Sequence, residues 1–568
     1  MHDEASPLKV VLCWHMHQPD YRGPAQTDYE LPWVYLHGIK DYSDMAFHLE
    51  ANSQACAVVN FAPVLLEQIE DYAHQLDRWL RTGERIQDPL LAALAGPGLP
   101  LDDKGREALV RACLKANEKH LINRFPVFRE LVDLANLSRQ WPHILTYLND
   151  QYLTDLVVWY HLAWMGESIR QSDLRILSLE TKQRGFTLDD RRQLIGVISD
   201  VMSNLIRRYR DLARSGRVEL SVTPYAHPIV PLFYGFHVAR EALPSMTLPS
   251  APDYPGGEDR ARWHVKKGIE TFKRHFGFKP RGCWPSEGAI SDQTAALLEE
   301  EGFCWMASGQ QVLKNSLNTA HKDISAPISW THTPYRLASG HIKGFFRDEG
   351  LSDLIGFTYA DWRADDAIGN LTQHLLNIDA ATKDQANRVV AIIMDGENAW
   401  EYYPKNGIYF LNTLYKRILE QPRLKLTTFS AVVDEMNTPP PHLRQLVAGS
   451  WVYGTLSTWI GDPDKNRGWE MLVDAKKAYD KALSENSYSE SQLKALELQL
   501  ATCEGSDWFW WFGDYNPGQA VSDFEQLFRR QLTELYRMLD VKTPEYLKVV
   551  FAKGSGDPAA GGAMRQSH

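Results

Sequence analysis

A parallel α/β fold followed by a helical domain is what this 568-residue sequence predicts, and three features of its patterning predict it. First, short β-branched or apolar runs recur over about the first 430 residues, each followed by turn residues and a longer helix-patterned stretch. Such alternation implies βα units around a buried parallel sheet, open or closed into a barrel. Second, residues 65–214 change to long amphipathic segments, including 65–82, 104–119 and 149–165, which reads as a helical insertion. Third, the strand signal fades after the Pro439-Pro440-Pro441 run, where 469–485, 489–504 and 521–540 carry helical patterning.

The strands are expected at 8–14, 57–61, 217–222, 282–285, 303–307, 342–346, 389–394 and 424–429. The domain division is therefore 1–437 for the βα unit with its insertion and 442–550 for the helical domain. The small, polar, Gly-rich tail 554–568 is expected to be disordered, because it has too little apolar surface to order itself.

With 44% hydrophobic and 23% charged residues the chain is an ordinary globular protein. Its net charge of −11 offers no basic field for nucleic acid or an anionic membrane surface. No apolar run reaches the ~20 residues that span a bilayer, and Met1-His2-Asp3-Glu4 lacks a signal-peptide pattern, so a cytoplasmic location is expected. The 6 cysteines are dispersed without a Cys-x-x-Cys pair and read as reduced core thiols. The count of 18 tryptophans is high, and an indole suits either a core or a platform for a sugar ring.

Four segments place chemistry at strand ends, where ligands bind in parallel α/β folds. In Trp14-His15-Met16-His17-Gln18-Pro19, His15 and His17 share one side of a strand that Pro19 stops. A His-x-His pair is compatible with zinc only if a third ligand, an acid from another strand end, completes it. Gly216-Arg217-Val218-Glu219-Leu220 puts a carboxylate inside an apolar strand, with His227-Pro228 beyond it; such an acid needs a partner or a wet cavity. In Trp284-Pro285-Ser286-Glu287-Gly288 an acid stands beside an indole among small residues. Finally the apolar run 389–394 leads straight into Asp395-Gly396-Glu397. Two acids at strand ends, Glu287 and Asp395, are what glycosidic bond cleavage requires: one attacks or activates water, the other protonates the leaving oxygen.

Laid out in order, these residues resemble glycoside hydrolase family 57, whose members act on α-glucans. The resemblance spans nearly the whole chain and rests on His15-Met16-His17-Gln18-Pro19; Gly216-Arg217-Val218-Glu219-Leu220 with His227-Pro228; Trp284-Pro285-Ser286-Glu287; Asp395-Gly396-Glu397; and Trp459-Ile460-Gly461-Asp462 with Asn466-Arg467-Gly468-Trp469. Phe346-Arg347-Asp348 also resembles the family pattern. The resemblance implies an incomplete TIM-like (β/α)7 barrel whose mouth is closed by an all-helical C-terminal domain. It implies Glu287 as nucleophile and Asp395 as general acid/base. His15, His17, Gln18, Glu219, His227, Trp284, Asp348, Glu397, Trp400, Trp459 and Asp462 are the expected substrate-binding residues, Trp459 and Asp462 reaching in from the helical domain. No metal and no cofactor are expected.

The activity these resemblances imply is retaining hydrolysis of α-glucan, of α-amylase or amylopullulanase type. A 4-α-glucanotransferase shares the covalent intermediate and differs in what resolves it. A catalytically weak glycan-binding homologue is disfavoured by retention of both acids, and a metal-dependent mannosidase or deacetylase by the incomplete His-x-His site. An α-glucan or maltooligosaccharide is the expected partner.

Overall fold

The computed structural model describes residues 6–23, 28–96, 98–99, 102–140, 147–320 and 328–556. Among the described residues nine strands form one sheet: β1 (Leu8–Met16), β2 (Ala57–Phe61), β3 (Val218–Val222), β4 (Gly282–Cys283), β5 (Trp305–Gly309), β6 (Tyr335–Arg336), β7 (Lys343–Arg347), β8 (Val389–Asp395) and β9 (Leu424–Leu426). Seven of them pair in parallel in the order β2-β3-β4-β5-β7-β8-β1, and β1 pairs back to β2, so the sheet closes into a barrel. This is the expected (β/α)7 architecture, with seven strands in the ring rather than eight. β6 adds antiparallel to β7, and β9 lies beside the first residues of β1, Leu8 to Val10, while β2 takes Cys13 to Met16 on the same side. The ring is thin at two seams, joined by Val222↔Cys283 between β3 and β4 and by Arg347↔Ala391 between β7 and β8.

Strand alternation divides the apolar residues between two cores. Val11, Cys13, Val58, Trp305, Ala307, Phe345, Ala391 and Ile393 fill the barrel interior with Phe429. Val10, Leu12, Trp14, Met16, Val59 and Ile392 face outward into the helical layer. Burial on both faces explains why these strands read as continuous apolar runs. Gly282 has a steric cause: a Cβ there would lie 1.8 Å from the Trp305 indole that plugs the barrel.

The insertion is helical as expected, from Pro63–Thr82 to the long helix Leu188–Arg214, which starts at a Thr187/Asp190 capping box and returns the chain to β3. In the C-terminal region the helix expected from 469 starts at Pro463, because Asp462 caps it by accepting the Asp464 N–H at 2.9 Å and Pro463 suits the first helical position. Helices Glu490–Cys503, Asp507–Trp511 and Gly518–Met538 follow. Of the tail, Ser555 and Gly556 are ordered by backbone hydrogen bonds to Asp514 and Asn516; residues 557–568 lie outside the described residues.

A buried ionic cluster ties the two regions together. Glu504 accepts from Arg260 Nη2 at 2.7 Å, from the Tyr254 hydroxyl at 2.6 Å and from His264 Nε2 at 2.7 Å. Arg260 and His264 stand on the helix Gly257–Phe276 between β3 and β4. Burial pushes the Glu504 carboxyl up, but Arg260 and His264 outweigh it and hold the group down at about 2. A carboxyl depressed in the folded state stabilises it above the unfolded value near 4.5, and that stabilisation is lost as pH falls toward 2. Glu504→Gln is therefore expected to cost about 3 kcal/mol at pH 7, and its deficit should shrink between about pH 4.5 and 2. Denaturant titrations of both proteins across that range check this; a deficit that stays constant would refute it.

Candidate active site

The register of β1 assembles the site at the carboxyl end of the barrel. His15 lies opposite Asn60 of β2 on one side and Asp395 of β8 on the other, and Asn60 lies opposite Ser221 of β3. The Asn60 amide donates to Ser221 Oγ at 3.0 Å, so its Oδ1 is the acceptor, taking Thr223 Oγ1–H at 2.8 Å and His15 Nδ1–H at 2.7 Å. His15 Nε2 is then the acceptor toward His227 Nε2–H at 3.2 Å, and His227 Nδ1 accepts from Ser506 Oγ at 2.8 Å. Burial, with the neighbouring histidine charge, pushes His15 down to about 3 and His227 well below its ordinary value. Both imidazoles are therefore neutral at pH 7, which this one-directional chain of hydrogen bonds requires.

His17 stacks on His227 with ring centroids 3.7 Å apart, and its Nε2 meets Asp507 Oδ1 at 2.8 Å. The three histidines bring ring nitrogens within 4.8 Å of one another, the donor set most like a metal site among the described residues. The rings are nearly parallel, at 14° to 17°, so the lone pairs of the stacked pair run side by side instead of converging on one ion. The set fits hydrogen bonding and stacking better than ligation.

Glu287 sits in the turn after β4 with φ 57° and ψ 23°, a left-handed conformation costly for a side chain of its kind. One tryptophan holds it there: the Trp451 backbone N–H donates to Glu287 O at 3.1 Å, and its indole Nε1–H donates to Oε2 at 2.9 Å. Glu287 Oε1 is 3.9 Å from His227 Nδ1. Trp284 lies underneath, fully buried, with its ring 5.3 Å from that of Trp451 and 6.4 Å from that of His15. It supports the turn from within the barrel core.

Asp395 ends β8, its Oδ2 accepting from the Asn398 amide at 2.8 Å. Burial pushes its carboxyl up to about 6, against the opposing pull of Asn398, His17 and Arg347. Glu397 is buried two residues on; its Oε1 accepts from Gln18 Nε2 at 3.2 Å, the Tyr42 hydroxyl at 3.1 Å and the His17 N–H at 3.4 Å. Burial first, then Asp395 and Asp41, raise the Glu397 carboxyl well above its usual range. Burial of the two acids side by side thus favours their protonated forms over two adjacent charges.

The structure brings together His15, His17, Gln18, His227, Glu287, Asp395 and Glu397, with Trp284 beneath them. It does not bring Glu219, Asp348, Trp400, Trp459 or Asp462 to this group. Glu219 is opposite Val58, one inward-facing layer below Ser221, and its carboxylate is used by Trp305 Nε1 and by the Ser430 N–H and hydroxyl inside the barrel. Asp348 caps the helix Glu349–Asp353 and pairs with His332 at 2.9 Å. Trp400 packs in the core against Trp14 and Phe410. Trp459 is fully buried, its carbonyl accepting from Trp469 Nε1, and Asp462 is a helix cap. The motif around 459–469 thus docks the helical region: Asn466 receives the Gly461 N–H and donates to the Thr247 carbonyl.

Sequence reasoning missed Asn60, Tyr42 and Trp451 and gave Ser506 and Asp507 no role of their own. Ser506-Asp507 precedes an aromatic run of which Trp508, Phe509 and Trp510 are buried, and these two polar residues are what the helical region delivers. No local pattern marks Trp451, whose partner is 164 residues away. Because Trp459 is interior, Trp459→Ala is expected to lose about 3–5 kcal/mol of stability through the cavity it leaves. Rates per folded molecule on a maltooligosaccharide should stay within about twofold; a selective fall in kcat/KM at unchanged stability would restore the platform role.

Comparison with known proteins bears on the family and the fold. The model of glycosyl hydrolase family 57 matches residues 11–443. A Methanocaldococcus jannaschii protein named "Putative alpha-amylase" is 24% identical over 299 residues, 51% of this chain and 53% of that one, so the chain spans about half the length of this curated relative. The GH57 branching enzyme of Thermococcus kodakaraensis superposes with a TM-score of 0.58 at 14% identity over 96% of this chain and 92% of its own. The alpha-amylase AmyC of Thermotoga maritima gives 0.55 at 14% identity over 95% and 96%. At these identities the solved structures speak to the fold. With the family model covering most of the barrel and the loops that carry Glu287 and Asp395, the chain belongs to glycosyl hydrolase family 57.

Proposed function

We propose that this protein is a retaining α-glucan-active enzyme in which Glu287 is the nucleophile and Asp395 the general acid/base. The observation that carries this is the contrast between two carboxylates on strand ends flanking one histidine cluster. Glu287 receives an indole N–H that suits its anion, while Asp395 is buried enough to keep its proton to about pH 6. In the first step Glu287 attacks the anomeric carbon as Asp395 gives its proton to the glycosidic oxygen, and the leaving sugar departs. In the second, Asp395 takes a proton from the incoming hydroxyl, which displaces Glu287 and restores the original anomer. His15 and His227 stand beside the acids as neutral rings and add no positive charge of their own, so burial outweighs the opposing pull of His17 and Arg347 on the Asp395 carboxyl. His17 and Gln18 hold the loop after β8 through Glu397, and the helical region contributes through Ser506 and Asp507.

Within this reading we favour hydrolysis of α-amylase or amylopullulanase type. Transfer to a second sugar uses the same acids and the same intermediate, and the fold shared with a branching enzyme keeps it as the second reading. Chromatography of products from maltoheptaose, amylose and pullulan, incubated separately, tests both. Shorter oligosaccharides alone are expected for hydrolysis, longer products for transfer, and maltotriose from pullulan for α-1,6 cleavage. Glu287→Gln should abolish turnover in every case, and residual activity with retained configuration would remove Glu287 from the nucleophile role.

The pH profile follows from Asp395. A carboxyl raised to about 6 is protonated below that pH and loses its proton above it, so kcat on natural glucans should fall as pH rises through about 6. Asp395→Asn should remove this limb and spare aryl glycosides with good leaving groups far more than glucans. An unchanged limb in that variant would assign it to another group.

A further inference from the structure

In the Phe346-Arg347-Asp348 segment, Phe346 is core and Asp348 is a helix cap, which leaves Arg347. Arg347 ends β7 at a thin seam of the barrel, opposite Gly309 of β5 and paired with Ala391 of β8. Beyond that pair its side chain continues the ladder, its Nε–H donating to the Ile393 carbonyl at 2.9 Å. Ile393 stands two residues before Asp395, on the same face of β8. Arg347 Nη2 donates to Asp353 at 2.8 Å, and the residue is buried.

The same guanidinium lies over the Trp451 ring, 5.3 Å from its centroid and within the range of a cation–π contact. It is this ring whose N–H goes to Glu287 Oε2 at 2.9 Å. Two more contacts fix the indole. The Trp284 ring meets it at 75° and 5.3 Å, and its backbone rests on the end of β5, where a Cβ on Gly309 would stand 2.6 Å from the Trp451 Cα. The cation therefore bears on Glu287 through a ring that is already held against that acid.

On the other side of the cleft, Asp395 is faced by His15 and His17 from β1, by Arg347 from β7, and by Glu397 and Asn398 from its own loop. His15 is neutral, so the cationic pull on Asp395 comes from His17 and Arg347. One buried side chain thus acts toward both acids, through an indole on one side and through its charge on the other. A residue that only closed the seam would change stability and leave the kinetics of the folded molecules alone.

We propose that Arg347 is a positioning residue for both acids, holding the Trp451 indole against Glu287 and setting the field at Asp395 from across the β7–β8 seam. It rests on the roles given to Glu287 and Asp395 above. The test measures rates per folded molecule for Arg347→Met, Arg347→Lys and Trp451→Phe, on a glucan and on an aryl α-glucoside with a good leaving group. Arg347→Met removes a cation that favours the Asp395 carboxylate, so the alkaline limb of kcat on the glucan should move up by about half a unit. Its kcat/KM on the aryl glucoside, which reports the attack of Glu287, should fall about tenfold. Arg347→Lys should return the limb to its place and restore only part of that rate. Trp451→Phe keeps a ring under the guanidinium and removes the N–H, so it should lower the aryl-glucoside rate and leave the limb at about pH 6. Either readout unmoved in folded Arg347→Met, or a parent-level aryl-glucoside rate in Trp451→Phe should Arg347→Met not fold, overturns the proposal and leaves the roles of the acids standing. A parent protein inactive on both substrates overturns those roles and the proposal with them.

Discussion

The pairing of β1 with β8 is the constraint from which the rest of the site follows. Seven residue pairs run from Lys9↔Val389 to His15↔Asp395, and the Gly396 N–H closes the ladder on the His15 carbonyl at 2.7 Å. A slip of one residue would put His15 and Asp395 on opposite faces of the sheet, pairing one of them with Trp14 or Met394. The same strand pairs on its other edge with β2, which delivers Asn60, and with β9, whose following helix delivers Ser430 to Glu219. The interior is filled in layers, so the polar residues at its top have a rigid apolar floor. Trp305 needs the space left by Gly282, and Trp284 sits above that plug against His15.

On this floor the electrostatics are set by burial more than by charge pairing. Three histidines stand together, yet the two deepest are neutral, because a charged imidazole there would lack solvent and face its neighbours. Their hydrogen-bond chain has one direction only, from Ser506 through His227 and His15 to Asn60. Burial also lifts Asp395 and Glu397, which lie at the end of one strand and share one hydrogen-bonded loop. Glu287 differs in how it is held: it sits in a left-handed turn and is gripped at backbone and side chain by Trp451. Two carboxylates on one rim thereby meet different partners, the Asn398 amide at Asp395 and the Trp451 indole at Glu287.

The helical region belongs to this site physically, although the contacts differ from those anticipated. Trp459 and Asp462 were expected at the cleft; they anchor the helix Pro463–Glu485, one as core and one as cap. The reach into the barrel is made by Ser506 and Asp507, just beyond Glu504 and Gly505, and the buried cluster of Glu504 with Arg260, His264 and Tyr254 fixes that stretch of chain to the barrel's own helix. A single buried carboxylate locked between the two regions thus positions Ser506 and Asp507, two and three residues on.

Periodicity in the sequence was enough to determine the parallel sheet, the helical insertion and the helical C-terminal region, because strands buried on both faces and amphipathic helices leave local signatures in which every residue reports its own environment. The strand-end acids and histidines were legible for the same reason: a polar residue straight after an apolar run has few places to go. That the sheet closes with seven strands, and that Glu219 serves the barrel interior rather than its mouth, depends on register, which sums pairings across the whole chain. The fates of the tryptophans were also decided only by tertiary structure, since an indole's burial is set by what packs on it. Trp459 disappears into a core, whereas Trp451, unmarked in sequence, meets Glu287 across 164 residues. No local pattern encodes such a meeting, because the two segments are independent until the closed barrel brings their loops to the same end.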